Sequence, residues 1–226
     1  MNTNFHTVLL ILSFILLPGC TTIGHHDAVA RKQIDFGPPE TVKVCLYLDE
    51  GISEPEGRTL ITNAWVVEPE MFGINIEVAE VHQWKRPAFM YQGIMDSLVK
   101  IKLEAPCDRI IALVNRHSGD LLFGLLGAEV LGAVNDDSLT HGFTIARRAS
   151  LAQLAMSPTE VLEHELYHYL GCDHYHMKEC YKQIAYMKQW KREHSEDFFP
   201  AWDLAQKRLL PTREAVNAHL ATIVFK

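Results

Sequence analysis

Positive charge is in short supply in this chain. Lys and Arg number 21 against 28 Asp and Glu, a formal net charge of -7, and a mildly acidic surface argues against nucleic acid as a partner. Cysteine is also sparse, five residues in 226, and no Cys-x-x-Cys pair occurs among them. No apolar run reaches the length needed to cross a bilayer comfortably. Val8–Leu17, apolar save for Ser13, has the length of a signal-peptide core. There is no internal repeat and no low-complexity block. No aspartate or cysteine dyad suggests a nucleophilic mechanism.

What is present centres on one stretch, Ser157–His174. It contains His164-Glu165-x-x-His168-x-x-Gly171-x-x-His174. On a helix, residues four apart lie one above the other, so His164 and His168 can reach one ion. Neutral imidazole is a favoured zinc ligand. Glu165, about 100° further round the helix, can flank the metal and hold a water without ligating. Gly171 allows a left-handed helix exit, and the returning chain can bring His174 to a third coordination position. Three protein ligands with one open position make a catalytic zinc centre, whereas structural zinc is usually closed by four.

The helix is well specified. Ser157 can cap it, Pro158 suits its first position, and Glu160 completes a capping box. Leu162, Leu166, Tyr169 and Leu170 make an apolar stripe roughly opposite the histidines. Glu163 points away from the histidine face and reads as a solvated carboxylate. His176 is an alternative third ligand, but the Gly-x-x-His spacing favours His174. Tyr175, Tyr181 and Tyr186 read as packing residues, and Lys188, Lys191 and Arg192 as a solvated face.

Upstream, strand and helix signals alternate. Strands are expected at 41–49, 73–81, 108–115, 129–134 and 142–147, and helices at 54–65 and 90–103. Downstream, Tyr181, Ile184, Met187 and Trp190 form a helical stripe, and residues 196–209 and 212–222 read as terminal helices. After removal of residues 1–20, about 205 residues remain, enough for one domain with a substantial core. Cys45, Cys107, Cys172 and Cys180 are then an even set. They can pair as Cys45–Cys107 and Cys172–Cys180, or remain as small buried thiols.

The eleven-residue motif resembles the metzincin clan of zinc metalloproteases, and the order strand–helix–strand–helix–three strands–zinc helix is similar to the clan's N-terminal subdomain. The resemblance implies an α/β (α+β) fold: a twisted, mixed five-stranded sheet with an active-site helix and a small helical C-terminal subdomain. Residues 129–135 would then be the antiparallel rim strand that pairs with extended substrate. It further implies one catalytic Zn2+ on His164, His168 and His174, with Glu165 as general base. A methionine turn is also implied, for which Met187 is the best placed candidate; the helical stripe offers Met187 an equally good place in an ordinary core helix. Cys180 stands where the archaemetzincin subgroup has a cysteine, but the other cysteines of that subgroup are absent.

Leu17-Pro18-Gly19-Cys20 resembles the lipobox of bacterial lipoproteins, which implies lipidation at Cys20. The implied organisation is a signal peptide at 1–20, a polar tether at 21–40 and a catalytic domain at 41–226. The expected location is the cell envelope, on the periplasmic side of the outer membrane, anchored through lipid. The expected activity is a zinc-dependent metalloendopeptidase acting on protein or peptide. A catalytically silent zinc-binding envelope lipoprotein and a zinc amidase acting on cell-wall peptides are the alternatives.

Overall fold

In a computed structural model, the described residues are 28–87, 91–117, 130–147, 156–174 and 176–224. The lipidation site expected at Cys20, the apolar segment before it and Tyr175 lie outside them. Among the described residues no helix is long and apolar enough to cross a membrane.

The fold is mixed α/β, built on a five-stranded sheet. Its strands are β1 (Glu40–Leu48), β2 (Ile74–Gln83), β3 (Arg109–Val114), β4 (Gly132–Val134) and β5 (His141–Ile145), in the order β2-β1-β3-β5-β4. Pairing is parallel except at the rim, where β4 runs antiparallel to β5. Helix α1 (Ala28–Lys32) precedes the sheet. Between β1 and β2 come α2 (Glu54–Ala64) and a short α3 (Glu68–Phe72), and between β2 and β3 comes α4 (Tyr91–Leu98). Then follow α5 (Pro158–Tyr169), α6 (Met177–His194), the hairpin β6 (Ala201–Asp203)–β7 (Arg208–Leu210), and α7 (Arg213–Val224).

Strand alternation sorts the core into two layers. Val42, Val44, Leu46 and Leu48 of β1, with Ile111 and Leu113 of β3, pack on the side of α5 and α6 against Leu162, Leu166, Tyr181, Ile184 and Met187. Cys45 of β1, Ile110, Ala112 and Val114 of β3, and Phe143 and Ile145 of β5 pack on the opposite side with α4 and α7. All six residues of β3 are buried, as a central parallel strand requires. Of the two alternatives for the cysteines, the paired one is present: Cys45–Cys107 ties β1 to the approach of β3, and Cys172–Cys180 closes the loop between α5 and α6.

Four readings need correction. Residues 201–210 form a hairpin where a terminal helix was expected. Asp203, fully buried, accepts the Gln206 amide, and Lys207 adopts φ 50°, so the chain turns back where a helix would continue. The tether expected over 21–40 ends sooner, because Ala30 is buried in the core and Ile34 and Phe36 pack against it. Lys188 does not belong to a solvated face: it is fully buried, and its Nζ donates to the Phe72 and Gly73 carbonyls at 2.6 and 2.9 Å. Met187 lies in the middle of α6, buried beside Gly171. That is the core-helix alternative, and a position inside a helix cannot be a tight turn.

Candidate metal centre

Helix α5 begins where its sequence dictates. Ser157 Oγ accepts the Glu160 amide at 3.2 Å and Glu160 Oε2 accepts the Ser157 amide at 2.6 Å, the full capping box, with Pro158 as the first residue. Such a cap contributes about 1 kcal/mol. At the other end Gly171 has φ 93°, its amide donates to His168 O, and the Cys172 amide donates to Tyr167 O. The chain thereby reverses and returns His174 to the face it has just left.

Three imidazoles meet as a result. The His164 and His168 ring centroids are 4.9 Å apart, those of His164 and His174 5.1 Å, and those of His168 and His174 4.7 Å. One nitrogen from each ring lies within 4.8 Å of the other two, so the group can hold a metal ion. His168 Nδ1 lies 2.8 Å from the Cys172 carbonyl. A carbonyl only accepts, so that nitrogen carries the proton and Nε2 is left as a bare lone pair. This Nε2 faces His164 Nε2 at 3.2 Å, while His164 Nδ1 is buried with no hydrogen-bond partner. Burial first, and the neighbouring rings second, hold the His164 pKa down at about 4. Burial likewise brings His168 to about 4. Both therefore stay neutral at physiological pH, the form that binds metal. The donor set suits a divalent cation that prefers nitrogen.

Glu165 lies beside this group, only 5 % exposed. Burial is the main cause that raises its pKa to about 8, and the charge of Asp136 adds to it. At that value the carboxyl group is largely protonated at neutral pH, and a cation held by the neighbouring imidazoles would favour its ionised, proton-accepting form. Asp136 follows the rim strand, and its carbonyl accepts the Leu204 amide of the β6–β7 hairpin at 3.3 Å.

His176 is not part of the cluster: it is exposed, and its Nδ1 pairs with Asp173 Oδ2 at 2.7 Å. Tyr181 is fully buried, and Tyr186 is exposed with its ring edge-on to Trp202. Glu163 is half-buried. A second grouping among the described residues, Cys45, Glu80 and His82, also satisfies metal-ligand spacing. Its sulfur is committed to the disulfide with Cys107, and its His82 and Glu80 already pair with each other at 3.1 Å.

Sequence reasoning overlooked two supports of the site. Arg109, fully buried, donates Nε to the Tyr169 carbonyl at the end of α5, and Nη1 and Nη2 to Phe199 and Pro200 carbonyls. Burial lowers its pKa to about 10, so it remains charged at neutral pH. It acts as a cation at a helix C-terminus, where the macrodipole favours one. The available signal was the arginine at the head of the apolar run Arg109–Val114. The second support is Glu68, buried, which accepts the Tyr167 hydroxyl at 3.2 Å. A carboxylate on a five-residue helix gave no comparable signal.

No protein-family model matches the chain, and the comparison with curated proteins gives no match.

Proposed function

We propose that this chain is a zinc-dependent metalloendopeptidase that hydrolyses peptide bonds. The observation that carries the reading is the convergence of three imidazoles, His164 and His168 held neutral, with a buried carboxyl group one residue along the same helix. A site for metal storage or structure needs the imidazoles and has no use for Glu165. His164, His168 and His174 would hold the ion, and His168 is oriented for that task by the Cys172 carbonyl. Zn2+ at such a site supplies Lewis acidity, polarising a peptide carbonyl and making water acidic enough to ionise near neutral pH. Glu165 accepts the proton from the attacking water and delivers it to the leaving amine. Burial keeps bulk water from competing for that proton. Strand β4 is the last strand of the sheet among the described residues, and main-chain pairing of an extended chain at such an edge would give affinity with little side-chain preference. Membrane attachment through a lipid on Cys20 belongs to the same proposal, and Cys20→Ser should move the protein from the membrane to the soluble fraction.

The deciding experiment is Glu165→Gln, which keeps size and removes the basic carboxylate. Zinc per chain should stay at the wild-type value, while cleavage of an unstructured protein falls about 10²–10⁴-fold. Loss of zinc in this variant would make Glu165 a ligand or a structural support. A zinc-loaded wild type that cleaves neither proteins nor cell-wall peptides would leave a binding protein. Cleavage of cell-wall peptides alone would make it an amidase.

A further inference from the structure

A glycine opens the last strand of the sheet, where its absence of side chain is costly. β4 is only three residues long, and Gly132 opens it. Glycine weakens a strand through backbone entropy and lost packing. The usual compensation, a positive φ, does not apply, since Gly132 is not among the residues that adopt one. Its backbone suits any amino acid. What it lacks is room: a Cβ built there would lie 2.6 Å from Glu165 Oε1, 2.8 Å from Cγ and 2.9 Å from Cδ. Real side chains do not approach so closely.

The same device recurs one turn along the helix. Glu165 and Tyr169 are four residues apart on α5 and project from one face. Tyr169 lies over Gly142 of β5, where a Cβ would strike the Tyr169 hydroxyl and the Ala133 carbonyl. That hydroxyl passes the glycine to donate to the Ile110 carbonyl at 3.0 Å. Register pairs Gly132 with Thr144 and Val134 with Gly142, so all four residues share the sheet face beneath α5. Thr144 is fully buried and its hydroxyl has no hydrogen-bond partner, which gives this face a polar group beside the seat of the carboxyl.

We propose that Gly132 is the positioning residue for Glu165: the missing side chain is the space in which the carboxyl group is seated, and no larger residue serves there. This rests on the reading of Glu165 as the proton-transfer group, but the seat is a steric claim that can be measured without turnover. Glu165 is enclosed, so an intruding methyl would expel the carboxyl group or part β4 from α5.

The test is a double-mutant cycle on zinc-loaded protein, read by thermal unfolding and by proteolysis of an unstructured substrate. Gly132→Ala should lower the unfolding midpoint by about 3–8 °C, the scale of a one-methyl overpacking in a chain of this size. In a Glu165→Gln background, where the side chain keeps its volume, the loss should be the same. In a Glu165→Ala background it should shrink to within about 1 °C, because the added methyl then fills vacated space. Gly142→Ala is the control, since it strikes backbone and Tyr169 and should cost the same in every Glu165 background. In the enzyme assay Gly132→Ala should lower kcat at least about tenfold, with KM and zinc content unchanged, and should add nothing to Glu165→Gln. Equal midpoint losses in the wild-type and Glu165→Ala backgrounds would overturn the proposal, as would failure to fold in both or wild-type kcat in Gly132→Ala. If zinc-loaded wild type has no proteolytic activity, the peptidase reading fails while the thermal cycle still decides the seat.

Discussion

The two faces of the sheet each bury an imidazole whose pKa burial has pushed to about 4, and the two have opposite meanings. On the α4 face, His141 of β5 is fully enclosed, and both ring nitrogens are engaged: Nδ1 with Thr140 Oγ1 at 2.8 Å and Nε2 with the Ile101 carbonyl at 2.8 Å. On the α5 face, His164 has a buried Nδ1 without a partner, and its Nε2 meets only another imidazole nitrogen. Both ring nitrogens of His141 have protein partners, whereas His164 Nδ1 has none among the described residues. A depressed pKa therefore does not distinguish the two, since burial alone produces it. The distinction lies in whether the ring nitrogens have protein partners, because an unmet buried polar group costs about 1–3 kcal/mol unless something else meets it.

The sharpest way to break this comparison is to delete one imidazole from each face. His168→Ala should abolish tight zinc binding, read as zinc per chain after dialysis, with the fold retained at neutral pH. His141→Gln should keep one zinc per chain. Zinc loss in the second variant, or retention in the first, would invert the assignment.

Acid titration should isolate the contribution of His141 next. The folded pKa of His141 lies at about 4, below the ordinary value of 6.5, so the unfolded chain binds the additional proton first. The stability held above pH 6.5 is consequently lost as pH falls from 6.5 towards 4. The full loss is about 3 kcal/mol, because every pH unit between the unfolded and folded values is worth about 1.4 kcal/mol. Chemical denaturation of wild type and His141→Gln at about pH 7 and about pH 4.5 should show a smaller pH dependence in the variant. An identical dependence would remove His141 as its source.

A smaller effect extends the rule to lysine. Lys188 is buried, its two acceptors are backbone carbonyls, and burial brings its pKa to about 8. It is a basic group whose needs the protein supplies, like His141. Lys188→Met keeps the length and removes the donors, taking from the Phe72 carbonyl its lysine partner while the Gly73 carbonyl keeps the Glu40 amide at 2.9 Å. The expected cost is about 2 kcal/mol, measured as a shift in denaturation midpoint without loss of zinc. A neutral substitution would show that the Phe72 carbonyl finds another donor.

Local chemistry explains which parts of the molecule could be read in advance. The α5 region was legible because its information is short-range: cap, proline, histidine spacing and terminal glycine all lie within eighteen consecutive residues. Strand β3 was legible because a β-branched run buried on both faces has no other comfortable conformation. Lys188 and Arg109 were not, because nothing local to a basic residue announces carbonyls 116 or 91 positions away. The 201–210 hairpin was missed for a similar reason. Its turn is set by the buried carboxylate of Asp203, which Arg208 and His219 also contact, and helical-looking spacing yields to such a tertiary anchor. Gly132 was readable only as a weak strand residue until the side chain above it was placed.

Arg109 has a consequence for the order in which the molecule matures. Its guanidinium reaches 60 residues forward to the end of α5 and 90 and 91 residues forward to Phe199 and Pro200. Contacts of such separation close late, after the chain-entropy cost of large loops has been met. A growing chain that ends before residue 199 contains every histidine of the cluster, yet its Arg109 still waits for two of its acceptors. The last turn of α5, which carries His168 and leads to His174, would therefore become rigid only when the C-terminal segment docks. In such a protein, capacity to retain metal would be acquired at the end of folding, and an incomplete chain would carry the motif without the assembled site.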